Sequence, residues 1–129
     1  YAHHPSEVKA TLKAAKKGWG NRIIAIFQPH LFSRTRDFYK DFAKAFLLAD
    51  LLIVTDIYPA REKPIKAING KLISEEAQRL GHKNVKFIKD QSKISEYLTK
   101  IVKKDDIIIT MGAGNIWRQC VNIYEAILN

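Results

Sequence analysis

Residues 23–27 read Ile-Ile-Ala-Ile-Phe, five apolar side chains in succession with no polar position between them. A strand with one solvated face alternates between apolar and polar residues, whereas an uninterrupted apolar run is typical of a strand covered by helices on both faces. Leu-Leu-Ile-Val at 51–54 and Ile-Ile-Ile at 107–109 are also continuously apolar, and four strand-like runs predict strands at Arg22–Phe27, Leu51–Thr55, Val85–Ile88 and Asp106–Thr110.

Helical patterns separate these runs. A first helix is predicted to begin near Pro5 and to end at Gly18 or Gly20, and a weaker helix to run from Ser74 to Leu80. Three further helices are indicated by apolar stripes: Phe38, Phe42, Ala45 and Phe46; Ile94, Leu98, Ile101 and Val102; Ile116, Cys120, Ile123 and Ile127. This alternation predicts an α/β fold, with an open, mostly parallel Rossmann-like sheet and helices on both faces.

Several side chains in these elements have a structural interpretation. Ser92 is a plausible N-cap, and either Ser33 or Thr35 is expected to cap the helix that follows the first strand. Cys120, Trp19 and Trp117 are interpreted as packing residues. No catalytic triad, zinc-ligand spacing or phosphate loop is found in the sequence, so no catalytic or metal-binding residue is predicted.

The charge balance favours anionic partners, because 22 Lys and Arg residues stand against 13 Asp and Glu and give a net charge of +9. The lysines are scattered, which is typical of a solvated surface and argues against a nucleic-acid interface. No apolar run approaches the ~20 residues of a membrane span, and no secretory signal is visible. The single cysteine excludes an internal disulfide. We therefore expect a cytoplasmic chain that binds neither nucleic acid nor membrane.

Ligands of open parallel sheets bind at the carboxyl ends of the strands. The loop after the first strand carries His30 and Arg34, and we interpret both as ligand-binding residues, since a loop after a buried strand seldom needs both for packing. The arginine offers a planar fork for a carboxylate or a phosphate. The neighbouring Arg36 and Asp37 are interpreted as local, the arginine pairing with an adjacent acid.

Three other segments could bind ligands. Tyr1–Pro5 places two histidines before a helix start, where anions are attracted; a metal site is disfavoured because adjacent histidines point in different directions. Asp56 could orient a ligand hydroxyl or cap its turn. The glycine-rich turn Met111–Asn115 could approach an anion or only connect a strand to a helix. The sequence leaves these alternatives open.

Four segments in this order resemble the C-terminal domain of the UDP-N-acetylmuramate–L-alanine ligases, a branch of the Mur ligase family. They read YAHHP at 1–5, FQPHLFSRTRD at 27–37, TDIYPA at 55–60 and TMGAG at 110–114, and they span nearly the whole chain. The resemblance implies that residues 1–129 are the third domain of an ATP-dependent ligase of cell-wall synthesis. Its N-terminal domain would hold UDP-N-acetylmuramate, and its central domain would hold ATP and Mg²⁺.

In this family ATP phosphorylates the muramyl carboxylate, and the amine of L-alanine attacks the acyl phosphate. The Gly-Lys-Thr phosphate loop of the central domain is not in this sequence, so the chain alone is expected to be inactive and to bind no cofactor. By the resemblance, Tyr1 lies beside the adenine, whereas His3, His30 and Arg34 converge on the incoming amino acid and the reacting phosphate.

One position departs from the family, which often has arginine where this chain has Leu31. Arg34 is then the remaining candidate for the carboxylate clamp. Two alternatives remain for the chain as a whole. One is the related murein tripeptide recycling ligase, which shares the Ala-His-His-Pro segment but typically not the Gln-Pro-His…Ser-Arg-Thr loop. The other is a basic α/β domain that binds nucleic acid.

Overall fold

A computed structural model describes residues 1–128 and contains one sheet of four parallel strands in the order β3-β2-β1-β4. The strands are β1 (Ile23–Phe27), β2 (Leu51–Val54), β3 (Val85–Phe87) and β4 (Ile107–Met111). In the register of the sheet, Ile24 of β1 pairs with Leu51, and Ile23 pairs with Ile107. The predicted parallel sheet is therefore confirmed, with strand ends within a residue or two of the apolar runs.

The helices of the described chain are α1 (Pro5–Trp19), α2 (Phe32–Ala45), α3 (Lys71–Arg79), α4 (Ile94–Ile101) and α5 (Gln119–Leu128). The first helix begins with a proline, which suits the first turn, and Gly20 at φ 66° closes it by donating its N–H to the carbonyl of Lys16 at 3.1 Å. No helix within residues 1–128 has both the length and the apolar character that crossing a membrane requires.

The core has two parts, one on each face of the sheet. Ala25 and Phe27 of β1 pack against α1, α2 and α3, and the Phe27 ring lies 4.9 Å from the rings of Phe42 and Phe46. Ile24 and Ile26 point the other way, toward α4 and α5. Helices therefore cover both faces, as the uninterrupted apolar run of β1 predicts.

The outer strands differ from the prediction of full burial. β3 and β4 are largely half-buried, because within the described residues each has a strand on one side only. The exposed apolar residues of the helices also correct several sequence interpretations. Trp19 (67 % exposed), Trp117 (52 %), Phe38 (41 %) and Ile127 (40 %) are not core residues, and Cys120 is exposed.

The outward position of Cys120 has a local cause, and one helix start and one helix cap also differ from the prediction. A 3-10 turn over Ile116–Arg118 precedes α5, so the buried stripe is Ile116, Gln119 and Ile123, and Cys120 faces outward. The weak helix begins at Lys71 rather than at Ser74. Ser92 is not the cap: its N–H and hydroxyl both donate to Asp90 Oδ1, at 2.9 and 2.7 Å.

An ion pair joins the amino ends of β1 and β4, at the sheet edge opposite the candidate site. Arg22 Nε donates to Asp106 Oδ1 at 2.9 Å, and Arg22 Nη2 donates to Asp106 Oδ2 at 2.6 Å. The Asp106 side chain is 4 % exposed, and it also accepts the N–H of Lys103 at 2.7 Å. The hydrogen bonds from Arg22 are the main reason that the pKa of Asp106 is lowered.

Candidate functional site

The loop after β1 turns sharply at Leu31, which has φ 71° although it is not a glycine. Leu31 is the N-cap residue of α2. Its carbonyl accepts both the N–H of Thr35 at 3.2 Å and the Thr35 hydroxyl at 2.9 Å. Neither Ser33 nor Thr35 is therefore the N-cap. The turn brings Arg34 Nη1 to 3.2 Å from His30 Nδ1. Because a guanidinium can only donate, Nδ1 accepts, and the proton of the neutral His30 ring is assigned to Nε2.

The start of α1 brings a third predicted residue to the same place. The His3 ring lies 6.0 Å from the His30 ring in an edge-on arrangement, with His3 Nδ1 2.9 Å from the carbonyl oxygen of Tyr1. His3, His30 and Arg34 thus lie together at the carboxyl edge of the sheet, although they come from two segments of the chain. Tyr1 is 79 % exposed, so its aromatic ring is accessible from solvent. The ligands of these residues stay a prediction.

Tyr58, which the sequence reasoning did not single out, holds His30 from the neighbouring loop. Its N–H donates to the carbonyl of Pro29 at 2.8 Å, and its carbonyl accepts the N–H of Leu31 at 2.9 Å, so the pairing of β1 and β2 continues past the sheet. The Tyr58 and His30 rings stack with centroids 5.9 Å apart and planes 14° apart. The only sequence signal for Tyr58 was its place in the TDIYPA segment.

Glu62, also missed, comes from the same loop and binds the first turn of α2. One carboxylate oxygen accepts the N–H of Ser33 at 2.9 Å, and the other accepts the Ser33 hydroxyl. These hydrogen bonds lower the pKa of Glu62, and the one from the Ser33 hydroxyl has the largest effect. Asp56 was expected either to orient a ligand hydroxyl or to cap its turn. Its side chain accepts the N–H of Ile57 at 2.9 Å, which corresponds to the turn cap.

The glycine-rich turn after β4 packs against the chain's own residues. A Cβ on Gly112, which has φ 147°, would lie 2.8 Å from the carbonyl oxygen of Gln28, and one on Gly114 would lie 2.5 Å from Tyr58 Cγ. Gln28 Oε1 accepts the N–H groups of Asn115 and Ile116, both at 3.1 Å. The N–H groups of Asn115 and Ile116, at the helix end of the turn, are therefore bound to a side chain of the protein itself, which favours the connecting role.

The electrostatics of the cluster suit an anion. Burial lowers the pKa of His30, and the positive charges of Arg34 and His3 lower it further, while Glu62 acts in the opposite direction. His30 is therefore neutral at pH 7, and Arg34 supplies a full positive charge beside it. A guanidinium flanked by imidazoles can bind a carboxylate or a phosphate through charge-assisted hydrogen bonds.

His3, His4 and Glu7 form a second group whose ligand-type atoms lie within 4.8 Å of one another. The expectation that the adjacent histidines diverge was wrong, since their ring centroids are 4.6 Å apart. Glu7 Oε1, however, accepts the N–H of His4 at 3.0 Å and that of His3 at 3.3 Å, and these hydrogen bonds lower its pKa. The carboxylate is already used to cap α1, so we assign it a structural role.

Comparisons with known proteins identify the family to which the chain is similar. Residues 1–114 match the family model of the Mur ligase, glutamate ligase domain. The chain is 51 % identical over 118 residues to the UDP-N-acetylmuramate–L-alanine ligase of Geotalea uraniireducens. The matched segment covers 92 % of this chain and 26 % of that protein. It is 41 % identical over 130 residues to the ligase of the same name from Salinibacter ruber, covering 27 % of it.

Solved structures show the same fold. The UDP-N-acetylmuramate–alanine ligase of Thermotoga maritima superposes with a TM-score of 0.74 at 30 % identity, over 97 % of this chain and 25 % of that one. A murein peptide ligase of Psychrobacter arcticus superposes with a TM-score of 0.79 at 21 % identity, over 100 % of this chain and 26 % of that one, which is a likeness of fold alone. The chain spans about a quarter of the length of these relatives.

Proposed function

Because this chain belongs to the Mur ligase family, we propose that it is the C-terminal domain of an enzyme that joins L-alanine to UDP-N-acetylmuramate in peptidoglycan synthesis. The observation that carries this proposal is the 51 % identity to an L-alanine-adding ligase over 92 % of the chain. The cluster of His3, His30 and Arg34 supports it, since an amino acid and a phosphate both require a site for an anion.

The residues of this chain would bind and orient the amino acid. ATP supplies the phosphoryl group that activates the muramyl carboxylate. Arg34 would hold the carboxylate of L-alanine through the two parallel N–H groups of its guanidinium, which leaves the amine free to attack. His30 and His3 would face the reacting phosphate, and His30, protonated at Nε2, can donate a hydrogen bond to it without adding a second full charge.

Nucleotide binding would be shared between domains. The exposed Tyr1 ring offers a flat apolar face, and we propose that it packs beside the adenine. Residues 1–129 would act as one domain that closes over the N-terminal and central domains of the same chain, with Mg²⁺ held by the central domain. The setting would be the cytoplasm, with no nucleic-acid or membrane partner.

The test is substrate choice by the full-length enzyme. Free L-alanine and the preformed murein tripeptide should be offered separately with ATP, Mg²⁺ and UDP-N-acetylmuramate, and amide product measured. Product from free L-alanine is expected; product from the tripeptide alone would replace this proposal with the recycling ligase. Residues 1–129 expressed alone are expected to show neither ATP hydrolysis nor amide formation.

A further inference from the structure

We infer that Tyr58 is a positioning residue for the amino-acid subsite: its ring, which stacks on His30 and packs against Gly114, keeps His30 and therefore Arg34 in place. This inference rests on the proposed function for the identity of the ligand. The placement of His30 by Tyr58 is a property of the chain that can be measured without substrate.

The backbone around His30 needs an external support. Leu31, directly after it, has φ 71°, a conformation that a side chain with Cβ adopts only at a cost. The hydrogen bonds between Tyr58 and the flanking Pro29 and Leu31, at 2.8 and 2.9 Å, hold this turn from the next strand's loop. They fix the backbone of Tyr58 beside that of His30.

The Tyr58 ring has neighbours in two loops. It stacks on the ring of His30, from the loop after β1. Gly114 lies against the ring so closely that a Cβ there would be 2.5 Å from Tyr58 Cγ and 2.8 Å from Tyr58 Cδ2. The ring thus fills the space between the loops that follow β1 and β4. A smaller side chain would leave His30 without this wall.

The effect passes to Arg34 through His30. Arg34 Nη1 donates to His30 Nδ1 at 3.2 Å, so the position of the guanidinium depends on the orientation of the imidazole. The charged and titratable groups around His30 are Arg34 of α2, His3 before α1 and Glu62 of the loop after β2. Tyr58 meets His30 through its ring, and we therefore expect it to act by packing rather than by charge.

Two substitutions separate the ring from the hydroxyl. Tyr58→Leu removes the ring and should raise KM for L-alanine by about five- to twentyfold in the full-length enzyme, with KM for UDP-N-acetylmuramate changed less than twofold, since misplacement of a binding group weakens orientation. Tyr58→Phe keeps the ring and should stay within about twofold of wild type. Tyr97 is a half-buried tyrosine of α4 that packs on the opposite face of the sheet, and Tyr97→Leu is the matched control.

A second measurement does not depend on the ligand. NMR titration of the 129-residue chain should show the pKa of His30 rising toward its ordinary value in Tyr58→Leu, because burial is the largest cause of its lowering, and staying low in Tyr58→Phe. If Tyr58→Leu leaves the His30 titration unchanged, the positioning role is wrong. An equal loss of alanine affinity in Tyr58→Phe and Tyr58→Leu would also overturn it. If Tyr58→Leu shifts the His30 titration but the full-length enzyme does not use L-alanine, only the proposed function is rejected.

Discussion

Arg34, in the first turn of α2, is the guanidinium that lies beside His30, since Leu31 cannot supply a second one. Arg34→Lys keeps the charge but loses the planar fork, and the loss of a hydrogen bond to a charged group costs about 1.5–3 kcal/mol. We therefore expect kcat/KM for L-alanine to fall roughly tenfold to a hundredfold or more in the full-length enzyme. KM for the UDP-sugar, held by another domain, should barely change in steady-state kinetics.

The matched control for this change is Arg36→Lys in the same helix. Arg36 is half exposed and pairs with Asp37 at 2.8 Å, so it should leave the alanine kinetics unaltered. Unchanged alanine kinetics in both Arg34→Lys and Arg34→Ala would show that Arg34 is structural and that the carboxylate clamp lies elsewhere.

Gly114 is a position where one added methyl group should disturb the site. Its Cβ would lie 2.5 Å from Tyr58 Cγ and 2.7 Å from Gln28 Oε1, so the ring or the turn must move. Overpacking of this kind costs about 1–3 kcal/mol, and we expect Gly114→Ala to lower the free energy of unfolding in urea by that amount. Gly18→Ala in α1, where a Cβ meets nothing within 4 Å, should leave stability unchanged or raise it. Equal stability of the Gly114→Ala variant and wild type would contradict the close packing.

At the residue scale the sequence identified the loop that carries His30 and Arg34, because a His and an Arg after a buried strand stand out. It did not identify Tyr58 or Glu62. Their importance lies in contacts with Pro29, Leu31 and Ser33 across a chain separation of more than 20 residues, for example the 29 that separate Ser33 from Glu62. Single-sequence patterns carry periodicity and turn chemistry, and these contacts between loops leave no trace in either.

At the scale of elements, α2 depends on a cap from another loop. The Glu62 carboxylate accepts two hydrogen bonds from Ser33 at the positive end of the helix. Because the folded pKa of Glu62 is lowered, this stabilisation is full above the ordinary pKa of a glutamate and is lost as pH falls through the folded pKa. Glu62→Gln should therefore lower Tm by a few degrees at neutral pH, and the difference should shrink in acid.

Thermal unfolding followed by circular dichroism across pH would measure this, with the exposed Glu75→Gln of α3 as the control. A Tm difference for Glu62→Gln that is independent of pH would show that the charge on Glu62 is not the cause.

The sequence predicted that α2 exists but assigned its cap to Ser33 or Thr35. It could not do better, because the side chain that binds the helix terminus comes from the loop after the next strand.

For the whole molecule, the Arg22–Asp106 pair ties the first and last strands at the edge away from the site. Removing hydrogen bonds to a charged group costs about 1.5–3 kcal/mol, so Asp106→Asn should lower the free energy of unfolding at pH 7 by about that much. The folded pKa of Asp106 is lowered, which means that wild type loses this stabilisation as pH falls through that value. Urea unfolding at several pH values should show the variant and wild type converging in acid.

The neighbouring exposed aspartate supplies the comparison, since Asp105→Asn should not reproduce the effect. Parallel stability losses at every pH would contradict the role of the ionised pair.

At this scale the sequence predicted most of the fold, because uninterrupted apolar runs between helices admit few arrangements. The half-buried edges β3 and β4 were not predictable, since chain order does not state which strands are neighbours. The outward position of Cys120 was not predictable either, because it follows from the 3-10 turn before α5.

The strand order has a consequence for how the chain reaches this fold. In the register of the sheet β1 pairs with β2 through Ile24 and Leu51, but it pairs with β4 through Ile23 and Ile107, which closes a much longer loop. The longer closure costs about 1 kcal/mol more chain entropy. We expect β1, β2 and the helices on their Phe27 side to assemble first, and β4 with α5 to join last. In native-state hydrogen exchange, amides of β4 should then open without those of β2, so the last strand to join would be the first to leave.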